Sequence, residues 1–126
     1  MNYLLDTNAL IWYLLGNDKI TTEHLDTIQS NKNKVYFSSV NIIEISIKVS
    51  IGKLKIDDAY LNYLQKSPFI ELQLNSTHAL KLQSLPFLHK DPFDRLLIAQ
   101  AKVENLTIIT RDKIFKDYEV NILKVL

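Results

Sequence analysis

Four acidic residues carry the chemical interest of this chain: Asp6 closing the apolar run "NYLLD", Glu44 inside "VNIIEISIK", Asp94 in "DPFDR" and Asp112 in "TIITRD". An ionised carboxylate in an apolar run is costly to bury unless it is paired, hydrogen-bonded or bound to a cation, and Asp6 is the plainest case. Carboxylates gathered in one place raise each other's pKa, so such a cluster is stable near neutral pH mainly when a divalent cation neutralises it. With oxygen donors and no cysteine in the chain, Mg²⁺ or Mn²⁺ suits the set better than zinc.

The elements that must gather these acids are readable from patterning. "NYLLD" is a strand-like run, followed by "TNALIWYLL", whose Leu10, Ile11, Leu14 and Leu15 fit a helical face. "TEHLDTIQS" is a second short helix, capped at Thr21 or Thr22. "KVYFSS" and "FIELQL" read as strands, and "STHALKLQSL" places Ala79, Leu82 and Leu85 on one helical face. "DPFDRLLIAQAKVENL" is the clearest helix, with Asp91 at the cap and Pro92 at the first position. "LTIIT" and "VNILKVL" are further strands. Strands alternating with helices imply parallel pairing through crossovers, hence a layered α/β domain with helices on both faces. Sites in such sheets lie beyond the carboxyl ends of the strands. Asp6 and Asp112 fall at strand ends, and Glu44 and Asp94 fall near helix starts.

One segment resists this scheme. In "IEISIKVSI" the residues Ile43, Ile45, Ile47, Val49 and Ile51 alternate with polar ones, which is strand periodicity. The preceding strand has no hairpin turn after it but does have Ser38 and Ser39 as candidate caps, which favours a helix.

Each acid also has an ordinary role when taken alone. Asp91 is a helix cap, Asp94 complements a helix dipole, Asp112 suits the turn "TRDK", and Glu44 suits a solvated helix face. The three histidines are scattered: His24 and His78 have surface or capping roles, and His89 belongs to a solvated loop that approaches the acids. Trp12 and the tyrosines read as core and interface residues before base-stacking platforms. Of 15 basic residues only Arg95 and Arg111 are arginine, and each adjoins a candidate ligand. Their planar forks suit a phosphate or a partner carboxylate, and equally an internal salt bridge to the neighbouring acid.

Size and composition set the frame. The 126 residues form one domain, 1–126, with net charge +1, which argues for no partner by charge alone. The absence of cysteine excludes a disulfide framework and a thiolate nucleophile. The N-terminal apolar stretch is interrupted at Asp6 and Asn8 and falls short of the ~20 residues that span a bilayer, so a soluble cytoplasmic protein is expected.

Together, "LLDTNALIWYL", "SSVNIIEISIK", "DPFDRLLIAQA" and "LTIITRDK" resemble the PIN domain, specifically small bacterial toxins of the VapC type. The resemblance spans nearly the whole chain. It implies a three-layer α/β/α sandwich on a parallel, five-stranded sheet, and an endoribonuclease dependent on Mg²⁺ or Mn²⁺. It matches the family's acids to Asp6, Glu44, Asp94 and Asp112, its first-motif polar residue to Asn8, and the hydroxyl before the last acid to Thr110. It makes the ambiguous segment a helix and keeps Asp91 as a cap with a supporting role. Asp6 and Asp94 would hold one ion, with Glu44 and Asp112 holding a second or orienting water. The implied partners are an RNA substrate, a cognate antitoxin covering the acidic cleft, and a second copy in a homodimer.

Other chemistries fit less well. A haloacid-dehalogenase phosphatase wants a second Asp where Asn8 stands, and a receiver domain wants an acidic pair that Thr7 breaks. A catalytically inactive module that docks a basic peptide or RNA on the same charges is the remaining alternative, which metal binding separates from an enzyme.

Overall fold

The computed structural model describes residues 1–124. The elements run β1 (Asn2–Leu5), α1 (Thr7–Leu15), α2 (Thr22–Gln29), β2 (Lys34–Ser38), α3 (Ser39–Ser50), α4 (Asp58–Lys66), β3 (Ile70–Leu72) and α5 (Ser76–Lys81). A 3-10 turn (Leu82–Ser84), α6 (Pro92–Glu104), β4 (Thr107–Thr110), a 3-10 segment (Lys113–Tyr118) and β5 (Ile122–Lys124) follow. Of the strand expected over 120–126, Val125 and Leu126 lie outside the described residues.

The strands pair in the order β3-β2-β1-β4-β5, every pair parallel. β1 is therefore central, and its alternating side chains feed two cores. Tyr3 and Leu5 join Leu10, Ile28, Phe37, Ile45 and Leu64 on one face, whereas Leu4 joins Leu97, Ile98, Ile108 and Phe115 on the other. Helices cover both faces, so the architecture is a three-layer α/β/α sandwich, and "YLL" is apolar throughout because neither side meets water.

Segment 39–50 is a helix despite its alternation. Ser38 caps it by accepting from the Val40 N–H, and Asn41 returns the favour by accepting from the Ser38 N–H at 2.7 Å. The alternation arises because Ile43, Ile47 and Ile51 lie on the solvent side, whereas Ile45 is buried. Asn41 is itself buried, and its amide also donates to the Leu5 carbonyl and the Thr7 hydroxyl. It thus ties the end of β1 to the start of α3. Asn41→Leu keeps the volume but strands these groups, so the urea midpoint is expected to fall by the equivalent of about 2–3 kcal/mol; a change below about 0.5 kcal/mol would show that water replaces the amide.

Several sequence expectations are corrected. Leu15 and Ala79 are exposed, because α1 ends at Gly16 and α5 turns His78 inward in place of Ala79. Of the two roles expected for His24 and His78, capping holds and surface exposure does not: both are buried, with His78 Nδ1 accepting from the Asn75 N–H and His24 meeting the Thr21 cap. His78 gains a further partner in Glu104, at 2.8 Å. α4 was not expected at all.

Candidate active site

The four acids converge. Asp6, Glu44, Asp94 and Asp112, with Asn8 and Asp91, line a cavity of about 140 Å³ at the carboxyl edge of the sheet. Each arrives by a separate local cause. Asp6 caps α1, its Oδ1 accepting from the Ala9 N–H at 2.7 Å, so the strand must end and the helix begin at this residue. Glu44 lies on the inner face of α3. Asp94 sits in the first turn of α6, whose start Asp91 and Pro92 define: Asp91 accepts from the N–H groups of Phe93 and Asp94. Asp112 caps the 3-10 segment after β4.

Thr110 links two of them. Its hydroxyl donates to Asp6 Oδ2 and accepts from the Asp112 N–H at 2.9 Å. Asn8 is exposed at the rim.

The electrostatics are those of carboxylates short of counter-charge. Asp6 is only 5% exposed, and burial pushes its carboxyl up to about 7 from 3.8, against the lowering effect of its bonds from Thr110 and Ala9; Asp94 and Asp112 add to the rise. Asp94 rises to about 6, again chiefly from burial; a bond from His89 opposes the rise, and the charges of Asp91 and Glu44 add to it. Glu44 is buried; one oxygen meets Lys48 at 3.2 Å, and the other, Oε1, has no hydrogen-bond partner among the described residues. A buried, unpaired carboxylate oxygen among three further carboxylates is what a hard divalent cation would satisfy.

The arginines part company. Arg111 lines the cleft, stacked over Trp12 at 5.6 Å, and pairs with none of the acids among the described residues. Arg95 is turned away from the cleft: it donates to the Pro86 carbonyl at 2.9 Å and to the Tyr118 hydroxyl, and faces the Phe87 ring. Its candidacy as a phosphate or antitoxin contact loses its geometric basis, and the salt bridge to Asp94 does not form either. Trp12, expected as a core or interface residue, is half-buried: it packs against the core and borders the cleft between Arg111 and Lys19.

Sequence reasoning passed over one cleft neighbour, Lys48, and gave a second, His89, too loose a role. Lys48 was detectable, one turn after Glu44 on the same helix. His89, expected to be solvated, instead places Nε2 2.7 Å from Asp94 Oδ2, and it groups with Asp94 and Asp112 at metal-ligating distances.

A parallel α/β/α sandwich with an acidic cleft at its carboxyl edge defines the class. This chain belongs to the PIN domain family, whose model matches residues 3–121. The structure is similar to VapBC2 from Rickettsia felis, solved bound to a DNA fragment from their promoter, at 20% identity and TM-score 0.76 over 98% of each chain. It is also similar to DNA-bound VapBC from Salmonella typhimurium, at 17% identity and TM-score 0.71 over 100% of this chain and 99% of that one. A toxin-antitoxin complex from Klebsiella pneumoniae gives 19% identity and TM-score 0.67 over 98% of each chain. These likenesses are of fold. No curated protein sequence matches the chain.

Proposed function

We propose that this chain is a divalent-metal-dependent endoribonuclease and the toxin of a toxin–antitoxin pair. The observation that carries the reading is the unpaired, buried Glu44 Oε1 in a cleft shared with Asp6, Asp94 and Asp112. Family membership and the likeness to VapBC complexes support it.

Asp6 and Asp94 would hold Mg²⁺ or Mn²⁺, with Glu44 and Asp112 completing the set or orienting water. A bound ion supplies Lewis-acid polarisation of the scissile phosphate and a more acidic water. The chain's own work is positional. Thr110 fixes Asp6 and Asp112 relative to one another, and Asp91 fixes the start of the helix that presents Asp94. Arg111, oriented by Trp12 and unpaired with the acids, is available for a backbone phosphate of the substrate. Attack by water on phosphorus with the P–O3′ bond breaking and the 3′ oxygen leaving gives a 5′-phosphate and a 3′-hydroxyl; a 2′,3′-cyclic phosphate product would contradict this route.

The same charges explain restraint. An antitoxin segment with a basic side chain would fill the cleft, and a separate, largely apolar groove of about 630 Å³, lined by Tyr13, Leu25, Tyr60 and Tyr63, would seat its apolar part. The exposed stripe of Ile43 and Ile47 on α3, continued by Ile51 at its C-cap, would serve a homodimer. No helix among the described residues is long and apolar enough to cross a membrane, and action in the cytoplasm on cellular RNA belongs to the same proposal.

The test is incubation of purified protein with total cellular RNA, with Mg²⁺ or Mn²⁺ against EDTA, beside Asp6→Ala and Asp94→Ala. Discrete cuts that need metal and vanish in both variants are expected. Intact RNA from a folded wild type that binds no metal would instead favour the inactive docking module.

A further inference from the structure

The loop ahead of α6 is held with unusual completeness for a surface segment. The Tyr118 hydroxyl, buried at the end of the 3-10 segment that Asp112 begins, accepts the backbone N–H of Leu88 at 3.0 Å and of His89 at 2.7 Å. Arg95 donates to the same hydroxyl and clamps the loop from its other side through the Pro86 and Leu82 carbonyls. These contacts bind three parts of the chain at one point: the loop carrying His89, the first turn of α6, and the segment after Asp112. Their common product is the placement of the imidazole on Asp94.

We propose that His89 is a positioning residue for Asp94, and that Tyr118 and Arg95 exist in this arrangement to hold it there. With its ring N–H donated to Oδ2 at 2.7 Å, the carboxylate keeps one orientation and its other oxygen, Oδ1, has no protein partner among the described residues. A carboxylate left free in the first turn of a helix samples several rotamers, and a cation must then pay to select one. A hydrogen bond from the neighbouring shell removes that cost. His89 also supplies a donor where the cleft otherwise has too many acceptors. This inference rests on the reading of the cleft as a divalent-metal site.

The experiment is calorimetric titration of Mn²⁺ into RNA-free protein, comparing wild type with His89→Ala, His89→Gln and Tyr118→Phe. The His89 side chain is 26% exposed, and Tyr118→Phe retains the ring in its packing, so each variant is expected to fold, which melting in EDTA checks. His89→Ala should weaken Mn²⁺ binding about ten- to a hundredfold, and His89→Gln, whose amide donates from a similar reach, should return to within about threefold of wild type. Tyr118→Phe should weaken binding although it touches no candidate ligand. Wild-type affinity in His89→Ala would overturn the proposal. Equal weakness in His89→Gln and His89→Ala would also overturn it, in favour of the imidazole as a direct ligand. Unchanged binding in Tyr118→Phe would overturn the role given to the hydroxyl. Absence of Mn²⁺ binding in the wild type would be a different failure, that of the metal site itself.

Discussion

Asp6→Asn is expected to abolish RNA cleavage and, at pH 8 without metal, to make the protein more stable. The two effects share one cause. Asp6 is almost fully buried, and its two protein hydrogen bonds do not offset the loss of water, so its carboxyl sits near 7 in the folded chain. Holding it ionised at pH 8 therefore costs the metal-free fold about 4 kcal/mol, which the neutral amide avoids. Asparagine can still accept from the Ala9 N–H, so the cap of α1 survives. The expected gain is about 2–4 kcal/mol by urea unfolding in EDTA, against a loss of roughly a thousandfold or more in cleavage rate. A variant less stable than wild type under these conditions would show that Asp6 is not held against a burial cost. Cleavage within tenfold of wild type would remove the cleft from the chemistry.

The second large effect is the pH dependence of the metal-free protein. Because the folded pKa of Asp6 is raised above its unfolded value, its contribution to stability is fully present below about 3.8 and is lost as pH rises through about 7. Asp94, raised to about 6, acts in the same direction. Stability in EDTA is therefore expected to increase by about 4 kcal/mol as pH falls from 8 to 5, and Asp6→Asn should remove about two-thirds of this slope. Saturating Mn²⁺ should reverse the sign, since the ion binds the ionised carboxylates and releases their protons. Equilibrium unfolding at fixed temperature across that range, with and without Mn²⁺, reads both slopes. A metal-free slope that rises with pH would contradict the burial of an uncompensated Asp6.

The sequence showed the sheet and the acids because both follow short-range rules. An apolar strand ending in Asp before a helix, and Asp-Pro opening a periodic run, each place a carboxylate at the carboxyl edge. The helical state of 39–50 was harder, because Ile43, Ile47 and Ile51 are apolar residues facing water, and periodicity assumes they face inward. α4 was legible and was passed over: Asp57 stands at its cap, and Tyr60, Leu61, Tyr63 and Leu64 recur at helical spacing. His89 was legible only as a loop residue able to approach the acids, not as a partner of Asp94, and the turn of Arg95 away from the cleft was not legible. Arg95 neighbours Asp94 in sequence but projects to the opposite side of the turn, and His89 is brought to Asp94 by a hydroxyl 29 residues away. No local pattern encodes such a tertiary hydrogen bond.

The central placement of β1 also orders events in time. Asp6 is made well before its partner Thr110, which lies 104 positions later. At about 5–20 residues per second a ribosome needs roughly 5–20 s to cover that interval. Throughout it, β1 lacks one of its two neighbours, and the last acid, Asp112, has not been added. A partly synthesised chain thus carries the beginning of the cleft without the means to finish it, and every molecule passes through an interval in which its four acids cannot yet meet.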